Sequence, residues 1–412
     1  MDEVRQPVVI VVGAGYSGVL AANRLSGKLR GKAQVVLIAP EYSLLDRIRL
    51  HEVAVHGGDV RRSFHKVLAA DVSHVRGRAV GLATQHNRIA VDRGAGAEWL
   101  PYDALVLALG SRLSPAIPST APHALALAGV EQAQQLAAAL ARLPAGRRVV
   151  IVGGGLSAIE LSSEIAETYP ELTVIMLAAA FVPDLAGPAR EALRAGLEAL
   201  GVQIREGVGV AELTAEGVRL EDGSWLDASI SVLAAGFRGA ALPDAFGLPA
   251  RADGRVPVDS ELRVAGARNV FVAGDLAAPP SEAIGSGLDT TRMACATALP
   301  LGAHAADQVV RLLSGRALEP YRFVYALRCI SLGRKSGVLV SVDPDDRPTG
   351  NVRRGWSAAL MKEIICRFVI GALRLERAIP GAFVWAKGRQ PARQPAACET
   401  RPASESPSSM AE

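Results

Sequence analysis

The sequence predicts an α/β fold built from two similar strand, turn and helix units and a smaller carboxyl-terminal part. The chain has 412 residues, of which 50% are hydrophobic, enough for two or three domains with buried cores. A β-branched run, a glycine cluster and a helix-forming stretch occur in this order at 7–39 and again at 148–177. Uninterrupted apolar strands of this kind are typical of parallel sheets, which are buried on both faces.

The first repeat predicts a strand over 7–12, a helix over 17–29 and a second strand over 34–39. Its turn carries a complete GxGxxG pattern, made by Gly13, Gly15 and Gly18. These glycines allow a tight turn, close approach of the backbone to a pyrophosphate, and close packing of the helix, whose amides face the anion. The pattern therefore predicts a dinucleotide site, and Glu41, two residues past the strand, is the candidate for binding the ribose.

The second repeat reads Gly153-x-Gly155-x-x-Ala158, in which the small last residue still allows close helix packing. A helix over 156–168 and a strand over 172–177 are predicted to follow. After this strand come alanines, with neither an acid for a ribose 2′-hydroxyl nor an arginine for a 2′-phosphate. The choice between NADH and NADPH stays open.

Composition excludes several classes of function. The 45 basic and 41 acidic residues are nearly balanced, too weak a bias to predict nucleic-acid binding. No apolar run approaches the roughly 18 to 20 residues of a spanning helix. The four cysteines show no metal-ligand spacing, so we expect no metal site and a reducing compartment, by default the cytoplasm.

Four later segments occur in an order that, with the two repeats, resembles the type II NADH dehydrogenase family; they are 102–111, 201–204, 222–236 and 269–275. This family is a branch of the flavoproteins with two dinucleotide-binding domains. The resemblance implies two Rossmann-like domains, one inserted in the other, and a small α+β carboxyl-terminal domain. It implies an FAD domain at 1–118 and 266–312, an NAD(P)H domain at 119–265 and a carboxyl-terminal domain at 313–388.

The resemblance also implies non-covalent FAD, with NADH or NADPH as the electron donor. The implied FAD-binding residues are Gly13, Gly15, Gly18, Glu41, Arg49, Gly110, Gly274 and Asp275, the last contacting the ribityl chain. The implied NAD(P)-binding residues are Gly153, Gly155, Ser157, Glu160 and Gly236. Glu160 and His51 are the candidates for a catalytic role, His51 because imidazole can carry protons near neutral pH.

Residues that are missing from the sequence narrow the range of possible electron acceptors. Disulfide reductases of this architecture carry a cysteine pair early in the flavin domain, and 40–60 contains no cysteine. Type II NADH dehydrogenases reduce a quinone, but the two glutamines of their pattern are missing from 292–299. We expect a quinone or a similar small aromatic acceptor. The alternatives are a small iron-sulfur carrier as acceptor, or a redox-sensing flavoprotein without catalysis.

The carboxyl-terminal part predicts strands over 323–332 and 336–342, a turn-rich stretch, and an amphipathic helix over 357–374. In the resembled family such a helix rests on the membrane, whereas packing on its own domain or on a dimer partner explains the apolar stripe equally well. Peripheral attachment to the cytoplasmic membrane face is therefore an alternative to a free cytoplasmic protein. Residues 389–412, rich in Pro, Ser, Ala and Glu, are predicted to be disordered.

Overall fold

The structure is a computed structural model that describes residues 5–114, 117, 129–241, 246–281, 289 and 291–388. Its helices are α1 (Tyr16–Lys28), α2 (Leu50–His56), α3 (Phe64–Val67), α4 (Val130–Leu140), α5 (Leu156–Thr168), α6 (Pro188–Ala199), α7 (Cys295–Leu313) and α8 (Trp356–Ala378). Short 3-10 turns lie at Arg47–Arg49, Thr84–His86 and Gly274–Leu276.

The strands of the first half are β1 (Val8–Val12), β2 (Gln34–Ala39), β3 (Ser43–Leu45), β4 (Arg61–Ser63), β5 (Ser73–Arg76), β6 (Arg78–Ala83), β7 (Arg88–Asp92), β8 (Ala97–Pro101), β9 (Ala104–Leu107), β10 (Ser111–Leu113), β11 (Arg148–Val152), β12 (Thr173–Ala178) and β13 (Gln203–Glu206). Those of the second half are β14 (Val210–Leu213), β15 (Gly217–Leu220), β16 (Trp225–Asp227), β17 (Ile230–Leu233), β18 (Phe237–Gly239), β19 (Val256–Pro257), β20 (Arg263–Val264), β21 (Ala267–Val272), β22 (Ala277–Ala278), β23 (Leu327–Leu332), β24 (Ser336–Val342) and β25 (Pro348–Arg354).

A six-stranded sheet in the order β20-β21-β9-β1-β2-β5 forms the larger half of the core. All its neighbouring strands run parallel except β20 and β21. The central strand β1 is fully buried from Val9 to Val12, as expected of a parallel strand covered on both faces. The carboxyl ends of β1, β2, β9 and β21 meet at one edge, where ligands bind in open α/β sheets.

A second, four-stranded parallel sheet has the order β13-β12-β11-β17. The two repeats fold alike, because each consists of a five-residue strand, a thirteen-residue helix and a six-residue strand. The predicted helix over 156–168 is confirmed at both ends. The helix predicted over 17–29 lies one residue earlier, and the strand predicted over 172–177 lies one residue later.

The two sheets are joined by an antiparallel pair of short strands, β10 and β18. Each is the next strand along the chain after a strand of one parallel sheet, β10 after β9 of the large sheet and β18 after β17 of the smaller one. The predicted division into domains stays a prediction. Its boundary at 118–119 reaches residues outside the described part, and its boundary at 265–266 separates β20 from its paired strand β21.

The carboxyl-terminal part contains the antiparallel sheet β23-β24-β25, with α8 against β24 and α1. The first predicted strand begins at 327 rather than 323, because Tyr321, Phe323 and Tyr325 form an aromatic cluster before it. Strand β25 was not predicted, since its Pro348 and Gly350 are typical of turns. The helix predicted over 357–374 is longer, and the tail at 389–412 lies outside the described residues.

Candidate functional site

A cavity of about 570 Å³ lies at the edge where the carboxyl ends of the large sheet meet. Its lining includes the turn after β1, Glu41 after β2, Gly110 after β9 and Asp275 after β21. The opposite wall is formed by α5 and by Lys362 of α8. Both repeats and the carboxyl-terminal helix therefore border one cavity.

The glycine turn of the first repeat leaves no room for side chains. Gly13 has φ +104°, and a Cβ added there would lie 2.3 Å from the carbonyl oxygen of Ala108. A Cβ at Gly18 would lie 1.9 Å from the carbonyl oxygen of Gly13, so this glycine packs behind the turn rather than lining the cavity. Ser17, which does line it, has a buried Oγ without a hydrogen-bond partner among the described residues. An unpaired hydroxyl beside the amides of a helix start suits an anionic ligand.

Asp275 lies directly after Gly274, in the 3-10 turn that follows β21. Its Oδ2 accepts a hydrogen bond from Ser111 Oγ at 2.7 Å. Burial raises the pKa of this carboxyl group. Asp275 borders the cavity at the carboxyl edge of the sheet, where a ligand hydroxyl would find a buried acceptor.

Of the two arginines in the turn before α2, Arg47 lines the cavity and the predicted Arg49 does not. Arg47 donates from Nη1 to the carbonyl oxygen of Ser111 at 2.8 Å, and its guanidinium lies 5.1 Å from the centroid of Phe237. Burial lowers the pKa of Arg47. Phe237 belongs to β18, so this contact joins the large sheet to the strand pair between the sheets.

Arg49 points to the carboxyl-terminal helix instead. Its Nη1 donates to Glu52 at 2.9 Å and its Nη2 donates to both oxygens of Glu363 at 2.9 Å. These bonds occupy the guanidinium and tie the turn before α2 to α8. The structure therefore separates Arg49 from the other predicted FAD-binding residues, which line the cavity or pack behind it.

Glu160 and Lys362 form a half-buried ion pair that lines the cavity. Lys362 Nζ donates to Glu160 Oε1 at 2.8 Å, and the amide of Ser331 donates to the same oxygen at 3.1 Å. Burial opposes ionisation of both groups, yet the partner charges lower the pKa of Glu160 and raise the pKa of Lys362. The pair therefore stays charged at neutral pH, with Lys362 carrying its proton.

His51 completes this wall. It is buried, its Nδ1 lies 4.0 Å from Glu160 Oε2, and its Nε2 has no hydrogen-bond partner among the described residues. Burial lowers the pKa of the imidazole, although the Glu160 carboxylate opposes the shift. His51 is therefore neutral at pH 7 and can accept or pass a proton at the cavity surface.

The glycine turn of the second repeat has the same close backbone packing as the first. A Cβ added at Gly153 would lie 2.3 Å from the carbonyl oxygen of Ala234, the same distance as at Gly13. Gly155 precedes α5, and Gly236 follows β17 at the neighbouring edge of the smaller sheet. None of these three glycines lines the 570 Å³ cavity, whereas Ser157 and Glu160 of α5 do.

The described cysteines, Cys295, Cys329 and Cys366, are all free thiols. Burial raises the pKa of Cys295, which lines the cavity, to about 11, and that of Cys366 to about 12. Within the described part of the chain, no group of three or more His, Cys, Asp or Glu residues is placed to hold a metal ion. In the same residues, no helix is both long enough and apolar enough to cross a membrane.

Comparison with known proteins gives one family and several relatives. The model of the pyridine nucleotide-disulphide oxidoreductase family matches residues 7–299. The chain is 28% identical over 354 residues to the NADH dehydrogenase-like protein Rv1812c of Mycobacterium tuberculosis, covering 80% of this chain and 86% of that protein. It is 26% identical over 404 residues to the type II NADH:quinone oxidoreductase of Staphylococcus aureus, covering 89% and 96%.

The structure of NDH2 from Plasmodium falciparum in complex with NADH superposes with a TM-score of 0.73 at 14% identity, covering 92% of this chain and 99% of that one. These matches confirm the predicted resemblance, the α/β fold class and an oxidoreductase that uses FAD and a pyridine nucleotide. The family match spans both glycine turns and more than half of the chain. The chain belongs to the pyridine nucleotide-disulphide oxidoreductase family.

Proposed function

We propose that this chain oxidises NADH or NADPH through bound FAD and passes the electrons to a quinone. The observation that carries the proposal is the single cavity bordered by the first glycine turn, by α5 of the second repeat and by Lys362. Such a cavity lets two substrates meet one flavin. The relatives named as quinone reductases support the choice of acceptor.

The residues that line the cavity at the edge of the large sheet fit FAD. The unpaired hydroxyl of Ser17 and the amides of α1 face the expected pyrophosphate, and the buried carboxyl of Asp275 suits a ribityl hydroxyl. The guanidinium of Arg47 supplies positive charge on the same wall. In this site FAD would supply the hydride chemistry that moves two electrons from the nicotinamide to the acceptor.

In this proposal His51 and Lys362 assist reduction of the acceptor. Reduction of a quinone to a quinol takes up two electrons and two protons, which the nicotinamide hydride and one proton from solvent supply together. Neutral His51 can relay the solvent proton to the cavity, and the Lys362 ammonium, which stays protonated, can donate a hydrogen bond to a quinone oxygen. A second cavity of about 450 Å³ lies on the far side of Lys362 and is lined partly by the exposed Trp356 and Leu360 of α8. We propose that the quinone approaches along this side.

The test is anaerobic stopped-flow spectroscopy of the purified protein. We expect flavin absorption near ~450 nm, bleaching on addition of NADH or NADPH, and recovery on addition of a soluble quinone. Recovery with a small iron-sulfur protein but with none of several quinones would contradict the proposal. A stable reduced flavin with every acceptor would indicate a redox sensor instead.

We further propose that the outer face of α8 rests on an anionic membrane surface. One face of α8 packs on the protein through Val369, Ile370 and Leu373. The other exposes an apolar stripe that includes Trp356, Leu360, Ile364, Phe368 and Leu375. Exposed Arg353, Arg354, Arg367, Arg374 and Arg377 lie on or beside this helix, a charge pattern suited to anionic headgroups.

Sedimentation with lipid vesicles tests this contact. We expect binding to phosphatidylcholine vesicles that contain phosphatidylglycerol, and about tenfold weaker binding when Phe368 and Ile364 are replaced by Ser, since two large apolar side chains then leave the lipid. Trp99→Ser, which removes an exposed aromatic residue from β8, serves as the control. Equal binding of all three proteins, or dimer formation that masks the stripe, would overturn the proposal.

A further inference from the structure

The nicotinamide repeat lacks the side chain that usually contacts the adenine ribose. In dinucleotide-binding folds, an acid at the end of the second strand binds the ribose 2′-hydroxyl, and a nearby arginine accommodates a 2′-phosphate. In this chain β12 ends at Ala178 and is followed by the exposed residues Ala179 and Ala180. The strand end therefore has no carboxylate to repel a 2′-phosphate.

Three charged side chains converge on Phe181, the next residue. Its amide donates to Glu206 Oε1 at 3.2 Å, and its carbonyl oxygen accepts from Arg190 Nε at 3.1 Å. The Arg194 guanidinium lies over its ring, 4.9 Å from the centroid. Both arginines also donate to the Glu206 carboxylate, Arg190 to Oε1 and Arg194 to Oε2, the latter at 2.6 Å.

The register of the sheet places this cluster beside the ribose end of β12. Ala178 and Glu206 are the last residues of two neighbouring parallel strands and are paired with each other. The Glu206 carboxylate therefore leaves the sheet at the edge where the ribose is expected. The amide of Val182 donates to the carbonyl oxygen of Gly154 at 2.9 Å, which holds the loop after β12 against the glycine turn.

The cluster has a surplus of positive charge and of hydrogen-bond donors. Two guanidinium groups face one carboxylate, a net charge of +1. The amide of Phe181 and the two arginines lower the pKa of Glu206, so its carboxylate is ionised at neutral pH. A guanidinium has five N–H donors. The hydrogen bonds described above use two donors of Arg190 and one of Arg194.

We propose that this repeat accepts NADPH as well as NADH, with Arg190 and Arg194 binding the 2′-phosphate. The Glu206 carboxylate then holds both guanidinium groups in position when no phosphate is bound, and it competes with the phosphate for their hydrogen bonds. The inference rests on the proposed function only for the use of a nicotinamide coenzyme as electron donor. Recognition of the phosphate itself requires no electron acceptor.

Calorimetric titration of the FAD-loaded protein with adenosine 2′,5′-bisphosphate and with 5′-AMP tests the proposal. We expect the bisphosphate to bind at least tenfold more tightly. Arg194→Gln should weaken bisphosphate binding about tenfold, as expected for loss of charge-assisted hydrogen bonds, and should change AMP binding less than threefold. Glu206→Gln should tighten bisphosphate binding, because the competing charge is removed while the shape is kept.

Arg219→Gln is the matched control, since Arg219, on β15, is also paired with a glutamate, Glu212 on β14. Equal binding of the two nucleotides to the wild-type protein, or an equal loss in the Arg194 and Arg219 variants, would overturn the inference. Flavin reduction by NADPH and NADH gives a second measurement that is independent of the acceptor. Bisphosphate binding without quinone reduction would contradict only the proposed function, whereas NADH-driven quinone reduction without bisphosphate binding would contradict only this inference.

Discussion

Asp275 is the residue on which FAD retention depends most directly. Its carboxyl is buried, hydrogen-bonded to Ser111 and next to the cavity. Asp275→Ala removes an acceptor for the ribityl chain, and we expect FAD to dissociate about tenfold to a hundredfold more readily, the effect of a lost hydrogen bond to a charged group. The ratio of flavin to protein absorbance after gel filtration measures the loss.

The control for this variant is Asp345→Ala, which changes a carboxylate in the loop between β24 and β25. It should retain FAD like the wild-type protein. If both variants hold FAD equally well, Asp275 does not bind the ribityl chain.

Replacement of Lys362 gives a second prediction for a single residue. The Lys362 ammonium neutralises the Glu160 carboxylate, which would otherwise have no opposite charge beside it at the cavity wall. Lys362→Met should lower the free energy of unfolding at pH 7 by about 1 to 3 kcal/mol, the cost of leaving a polar group unsatisfied, because both side chains border the cavity and stay 14% and 13% exposed. The lowered pKa of Glu160 means that its stabilising contribution is present above about pH 4.3 and is lost as the pH falls through its folded pKa. The raised pKa of Lys362 means that its contribution is present below about pH 10.4 and is lost as the pH rises further.

The difference in stability between wild type and Lys362→Met should therefore be largest between about pH 5 and 10. Denaturant unfolding at a series of pH values measures it. Lys66→Met, at an exposed site in α3, should show little difference at any pH. If the difference in unfolding free energy between wild type and Lys362→Met stays constant down to pH 3, the pair contributes through packing rather than charge.

Single residues were predictable where a backbone motif fixes them. Gly13 follows directly on β1, and Gly110 and Asp275 each lie three residues after the end of β9 or β21, so the strand pattern placed them at one edge. Arg47 and not the predicted Arg49 lines the cavity, because the directions of side chains in a short 3-10 turn cannot be read from spacing. Lys362 was missed because a lysine in an amphipathic helix gains a role only through tertiary packing against α5.

At the level of elements, α8 is anchored at its carboxyl-terminal end by buried charge. Arg24 of α1 donates from Nε to Glu376 Oε1 at 2.8 Å, and both side chains are almost completely buried. Glu376 Oε2 also accepts from the amide of Phe383 at 2.8 Å. The inner face of α8 is thus fixed to α1, while its outer face stays exposed.

Glu376→Ala leaves Arg24 buried with fewer partners, and we expect a loss of about 3 to 5 kcal/mol in unfolding free energy. Amide hydrogen exchange should accelerate most around 379–383, where the chain loses its acceptor. The exposed Glu198→Ala on α6 is the control. Replacing Arg24 and Glu376 together by Leu should cost less than Glu376→Ala alone; an equal or larger loss would argue that the pair is not an electrostatic anchor.

Elements were most predictable where periodicity and glycine position agreed. Both βαβ repeats were predicted within one residue, because buried parallel strands give continuous apolar runs and the glycines mark the helix starts. Strand β25 carries only half-buried and exposed residues, so it offers no apolar alternation to detect. The part of α8 beyond 374 was also not predictable from apolar periodicity, because its last buried side chain is Glu376, a charged residue.

At the scale of the whole molecule, the first glycine turn, α5 and Lys362 of α8 border the cavity, and no disulfide is formed among the described cysteines. The four cysteines lie at 295 or later, and the described thiols are free, with burial raising the pKa of each. A thiol of high pKa is a poor nucleophile and a poor redox partner at neutral pH. The chain keeps the family's fold, and we infer that its electron transfer needs no disulfide.

If no thiol carries electrons, a variant with all four cysteines replaced by alanine should reduce quinones at a rate within about threefold of the wild-type rate, because small thiols contribute mainly packing. Steady-state oxidation of NADH with a soluble quinone measures it, and FAD content per protein corrects for partial unfolding. Iodoacetamide at pH 7.5 should likewise leave the wild-type rate unchanged over the time needed to alkylate free glutathione fully. A loss of more than a hundredfold in the variant, with FAD retained, would mean that a thiol near Lys362 takes part in electron transfer.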